Sequence, residues 1–157
     1  MIIEKIIEDM ITYNKEDRKR INHAIKVYTF SCLIASNEVM TESELFILKA
    51  ASVLHDIGIH NSEEKYHSCS GKYQEIEGPP VAREILRKYK LPAAVLERIL
   101  FLISKHHSYQ AINGIDFQIL IEADFIVNNQ EEQFSQRQRE TIVKKYFKTE
   151  SGMKLFK

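Results

Sequence analysis

Apolar residues recur along this chain at spacings of three and four, and no long stretch alternates, so the pattern predicts helices throughout. Ile2 to Thr12 reads as a short amphipathic helix. Asp17 to Asn37 reads as a second, with His23, Val27, Phe30 and Ile34 along one face. Thr41 followed by Glu44 has capping-box spacing and opens a third helix through Leu45, Leu48, Ala51 and Leu54. Gly58 then stands where a left-handed C-cap belongs. From Ile59 to Glu77 the stripe is lost, and IHNSEEKYHSCSGKYQEIE reads as a polar loop of a length that is uncommon in a compact domain and often functional. Pro79-Pro80 suit the first turn of a fourth helix running to about Lys90. Pro92 starts a fifth, reaching about His106, and Asp116 is expected to cap a sixth from Phe117 to about Asn128. A seventh covers Arg137 to Phe147. The expected fold class is all-α, a bundle of about seven helices.

With 157 residues and no repeat, low-complexity tract or linker, the chain reads as one domain over 1–157. Lys plus Arg and Asp plus Glu both count 22, so the net charge gives no footprint for a nucleic-acid polymer. The two cysteines, Cys32 and Cys69, form no CxxC pair and read as reduced thiols. Acidic residues interrupt the apolar start, which excludes a signal peptide there. No apolar run approaches the roughly 20 residues needed to cross a bilayer. A cytoplasmic protein without a membrane partner is expected, and a homo-oligomer stays open.

Four polar residues interrupt apolar helix faces. Asp124 shares a face with Leu120, Ala123 and Val127, and His55 shares one with Leu48 and Ser52. Asp56 follows His55, and His23 lies on the stripe of the second helix. A buried carboxylate without a partner is costly, so Asp124 must be paired, hydrogen-bonded or metal-bound. Taken singly, each residue fits an ordinary core pair. Together, two imidazoles and two carboxylates form a set that Fe, Mn, Ni or Zn accepts.

The stretch AASVLHDIGI, with an isolated His before it and a distant Asp after it, resembles the HD superfamily of metal-dependent phosphohydrolases. The resemblance spans roughly residues 15 to 130 and matches His23, His55-Asp56 and Asp124 to the family's pattern. It implies the HD helical bundle, one or two divalent ions (Fe, Mn, Ni, Zn or Mg), and hydrolysis of a phosphate ester or anhydride. It also implies candidates for a second ion, namely Glu77 in QEIEGPPVAREIL and His106 in ISKHHSY. Glu77 stands where related dinucleoside polyphosphate hydrolases place a His. His106-His107 resembles the HD-GYP cyclic-dinucleotide phosphodiesterases, but Ser108-Tyr109-Gln110 replaces their Gly-Tyr-Pro, which argues against that substrate.

The expected chemistry is attack on phosphorus by metal-activated water, with Asp56 as the carboxylate shared between ions. Lys65 and Lys72, with Ser68 and Ser70, make the polar stretch a candidate grip on phosphate oxygens, and its His67 is counted with them. Lys72 also serves as a stabilising cation, and His107 or His67 as donor of a proton to the leaving oxygen. The expected substrate is a nucleotide or small phosphorylated metabolite. An HD-fold di-iron oxygenase and a non-catalytic HD binding module are the competing readings.

Overall fold

The computed structural model describes residues 2–157, and among these the regular secondary structure is all helical. Nine α-helices occur: α1 (Ile2–Asn14), α2 (Arg18–Ala35), α3 (Glu42–Leu54), α4 (Ile59–Tyr66), α5 (Gly71–Leu86), α6 (Ala93–Lys105), α7 (Ile115–Glu132), α8 (Gln136–Tyr146) and α9 (Glu150–Leu155). The local rules explain several boundaries. Asp17 accepts the Arg20 N–H at the start of α2, and Thr41 with Glu44 forms the full capping box on α3. Ser135 and Gln138 form a second box on α8. Pro92 precedes α6 and ends the left-handed turn at Lys90.

The bundle is organised around α7. It packs on α2 and α3, while α3 also meets α6, and α5 lies between α4 and α6. Buried Leu48, Leu54, Ile103, Phe117, Leu120 and Val127 fill the space between these helices. Because α7 is buried over most of its circumference, its polar Gln118, Glu122 and Asp124 all need partners inside the protein. Glu122 has them: its carboxylate accepts from Gln118, from the Lys148 and Thr149 backbone N–H groups, and from the Thr149 hydroxyl. This carboxylate ties the start of α9 to the core.

Several expectations are corrected. Nine helices are described where about seven were expected: α9 follows the expected last helix, and the stretch Ile59 to Glu77 is not a loop. It contains α4 and the first half of α5, joined by a turn at His67 to Ser70. Its buried positions are Ile59, Ser62, Gln74 and Glu77, so a single aliphatic residue turns inward there and no aliphatic stripe forms. Pro79 and Pro80 lie inside α5 and do not open a helix. The Glu75 and Ile76 carbonyls that they deprive of donors sit on half-buried or exposed turns within reach of water. Gly58 is not a left-handed cap: its φ is −84° and it leads into α4. Its small size is required instead by a close crossing, since a Cβ there would lie 2.4 Å from the Gly78 nitrogen. Asp116 does not cap the sixth helix from outside. It lies in the first turn of α7, after Gly114, and takes two hydrogen bonds from Arg98 at 3.0 and 2.7 Å. The C-terminal helix expected over Arg137 to Phe147 is α8, and α9 follows it.

Candidate metal centre

Three helices that pack on one another deliver the first cluster. His23 comes from the middle of α2, Asp124 from α7, and His55 from the residue that ends α3, with Asp56 next in the turn. His55 keeps a helical backbone (φ −59°, ψ −34°), so adjacent side chains start about 100° apart, and His55 and Asp56 converge through the reach of their side chains. The His23 and His55 Nε2 atoms are 3.3 Å apart. His23 Nε2 lies 3.1 Å from Asp124 Oδ1 and 3.2 Å from Asp56 Oδ2. His55 Nε2 lies 3.3 Å from both of those oxygens. His23, His55 and Asp124 are buried, while Asp56 is partly open to solvent.

A second cluster shares Asp56. His106 Nε2 is 3.3 Å from Asp56 Oδ1, and His107 joins them, each residue offering an atom within 4.8 Å of the others. Asp56 therefore presents Oδ2 to one group and Oδ1 to the other.

The outer nitrogens of three of these rings are held by acceptors. His55 Nδ1 lies 2.8 Å from the Ser52 carbonyl, and His106 Nδ1 lies 2.8 Å from the Ile103 carbonyl. A carbonyl can only accept, so each Nδ1 carries the proton and each Nε2 of a neutral ring carries a lone pair. His23 Nδ1 faces the Glu131 carboxylate at 3.0 and 3.2 Å. His106 Nε2 is buried with no hydrogen-bond partner, although a carboxylate oxygen stands beside it. Nitrogen and oxygen atoms thus converge on one point, an arrangement that a cation between them would satisfy.

The spacing fits a cation. Donors about 2.1 Å from a metal ion stand about 3.0 Å apart at right angles and about 3.4 Å apart in a tetrahedron. The five contacts among His23, His55, Asp56 and Asp124 fall at 3.1–3.3 Å. Protons cannot serve all five, because the two inner nitrogens carry at most one each.

Proton affinities carry the same imprint. Burial opposes a charged His23, but the Asp124 and Asp56 carboxylates overcome it and lift its pKa to about 10. His55 is also raised well above its usual range, by Asp56 and Asp124 acting against its burial. Burial would raise Asp56 and Asp124, yet the surrounding histidines hold both carboxyls below the ordinary range. The carboxylates thus stay ionised and attract positive charge strongly. His107 moves the other way: burial and the neighbouring His106 push it down to about 4.

A family model of the HD domain matches residues 20–148. The chain belongs to the HD domain family. No curated protein and no solved structure gives a significant match. Membership places the chain in a superfamily of metal-dependent phosphohydrolases, and the His–Asp groups of this HD domain protein are suited to a divalent ion. Among the described residues, no helix is long and apolar enough to cross a membrane.

The other candidate residues lie elsewhere. Glu77 is buried on α5, with Lys65 Nζ at 2.9 Å and the Tyr66 hydroxyl at 3.1 Å, and it belongs to neither cluster. Lys72 is exposed, its ammonium 4.9 Å from the centre of the Tyr73 ring. His67 is exposed and ends α4 in a left-handed conformation. No hydrogen bond or ion pair joins Lys65, His67 or Lys72 to the His–Asp groups. A surface hollow of about 550 Å³ bordered by Asp9, Lys88 and Tyr89 shares no residue with them either, and its Lys88 and Tyr89 are already bonded to Asp9. Sequence reasoning missed Glu131. Its signal is spacing, since it lies two turns after Asp124 on the same face of α7 and brackets the His23 ring from the other side.

Proposed function

We propose that this HD domain protein is a phosphohydrolase that uses one or two divalent ions to cleave an ester or anhydride of a small phosphorylated substrate. The observation that carries the reading is the set of five 3.1–3.3 Å contacts among acceptor atoms of His23, His55, Asp56 and Asp124, which match the edges of a coordination polyhedron. These four residues would hold the first ion, and Asp56, His106 and His107 the second. When bound, the ions supply an acidified water and neutralise charge on the phosphoryl oxygens.

The chain's own residues do the rest. Ser52, Ile103 and Glu131 keep the Nδ1 positions occupied, so the Nε2 lone pairs stay directed inward. Asp56 is the shared carboxylate and the partly open one, so substrate meets the centre at its side, next to half-buried His107. A ring with a pKa of about 4 is neutral at pH 7, which suits His107 to ligation better than to protonating a leaving group. Lys65 and Lys72 remain the cations proposed to meet the phosphate, and Lys65 would have to exchange Glu77 for it. Glu77 is assigned as the anchor of Lys65 and not as a ligand.

The test is elemental analysis followed by a phosphatase screen with Mn, Fe, Ni, Zn and Mg. Wild-type protein should hold about two ions per chain, His106→Ala about one, and Asp56→Ala none. Asp124→Asn should lose phosphate release while keeping its helical spectrum. A folded, metal-loaded protein that releases no phosphate from any nucleotide or small ester would end the proposal, and oxygen uptake by an iron-loaded form would replace it with oxygenase chemistry.

A further inference from the structure

The first turns of α5 are folded around His107. Glu75 accepts the His107 backbone N–H at 3.0 Å and the Ser108 hydroxyl at 2.8 Å. Gly71 lies against the imidazole, where a Cβ would come within 2.6 Å of the His107 Cγ. Gln74 completes the contact: its Oε1 is 3.1 Å from His107 Nε2. The same amide donates its Nε2–H to the Cys69 carbonyl. That second bond decides the orientation of the amide, because a flip would set oxygen against the Cys69 carbonyl oxygen. Gln74 is buried, so no water substitutes freely for either partner.

The consequence concerns which nitrogen of His107 is protonated. An acceptor fixed at Nε2 requires a proton there, and the lone pair of the neutral ring then belongs to Nδ1. His106, the preceding residue, is held in the opposite form by the Ile103 carbonyl on its Nδ1. The two rings are 4.0 Å apart and tilted by 47°, and these contacts leave their lone pairs on different nitrogens. We infer that Gln74 is a positioning residue: it selects the Nε2–H tautomer of His107, so that Nδ1 is the atom offered to the group formed with Asp56 and His106. That it serves a second ion rests on the binuclear reading above. That it selects the tautomer does not.

The experiment uses full-length metal-free protein labelled with ¹⁵N-histidine, observed at neutral pH by long-range ¹H–¹⁵N correlation, with His107 assigned by difference against His107→Gln. Wild-type protein should show His107 as the Nε2–H tautomer. Gln74→Met keeps the side-chain length and removes the acceptor, and should yield a tautomer mixture. In parallel, metal titration should show Gln74→Met losing affinity for a second ion by about 10-fold or more while the first ion binds as in wild type. Wild-type His107 found with its proton on Nδ1 overturns the inference, and this result needs no variant to fold. A Gln74→Met spectrum identical to wild type overturns it as well. If the tautomer responds as stated but wild-type protein binds one ion only, the role of Gln74 stands and the binuclear reading falls.

Discussion

Removing the Glu131 carboxylate should weaken metal binding although Glu131 is not among the proposed ligands. Glu131 faces His23 Nδ1 at 3.0 and 3.2 Å, and His23 Nε2 faces Asp124 and Asp56 on the other side. The carboxylate has two effects: it holds the proton on Nδ1, and it adds negative charge that makes Nε2 a better donor. Partners of this kind typically contribute 10- to 100-fold in affinity, or about 1.4–2.7 kcal/mol. The Glu131 side chain is 24% exposed, so water screens part of its charge. Glu131→Gln keeps an acceptor for Nδ1–H and loses only the charge, so its cost should sit near the lower bound. Glu131→Ala loses both and should approach the upper one. Competition against a chromophoric chelator, with Zn or Mn at fixed pH, reads the difference directly, and circular dichroism checks that the fold survives. An alanine variant that binds within about twofold of wild type would refute the assigned role of the His23–Glu131 contact.

Two further outcomes follow from the geometry. In metal-free protein, His23 titrates at about 10 instead of its ordinary 6.5. Its contribution to stability is therefore fully present below pH 6.5 and is lost as pH rises through about 10, so urea denaturation of chelator-treated protein should show stability falling across that window, and a rise there would contradict it. Gly152→Ala places a Cβ 1.9 Å from the buried Glu122 Oε1, and because four hydrogen bonds pin that carboxylate the variant should lose on the order of 2 kcal/mol or more, a loss that an unchanged melting temperature would disprove.

What could be read from the chain depended on the kind of residue turned inward. Where buried positions are aliphatic, as on α2, α3 and α6, helix and face were legible, and so were the capping boxes, because their signal is local chemistry. Where α4 and the start of α5 bury Ser62, Gln74, Glu77 and Gly78 beside a single aliphatic residue, Ile59, the hydrophobic period has too little to act on, and α4 with half of α5 read as loop. The same substitution of polar for apolar residues made His23, His55 and Asp124 conspicuous, since they interrupt stripes that are otherwise apolar. Glu131 and Gln74 were not conspicuous, because a Glu or Gln on a polar stretch resembles any solvated side chain. Their roles depend on which ring they meet across the bundle, at sequence separations of 108 and 33.

The two clusters differ in how they are mounted, and this bears on their chemistry. The first is carried by α2, α3 and α7, which pack directly on one another, and its His23, His55 and Asp124 are buried on helices that also bury Val27, Leu48 and Val127. Displacing any one of these side chains would require opening the core. The second is carried by His106 and His107, which lie just beyond the last turn of α6; His106 is held by the Ile103 carbonyl and His107 by α5. Gly58 and Gly78 let α5 approach the turn after Asp56 closely, so the shared carboxylate and the α5 mould are set by one backbone crossing. A shift of α5 would therefore act on His107 and on the shared Asp56, while His23, His55 and Asp124 keep their places in the core. On the proposed binuclear reading, affinity for the second ion should accordingly be the quantity most sensitive to substitutions along α5, and the first ion should report mainly on the integrity of the core.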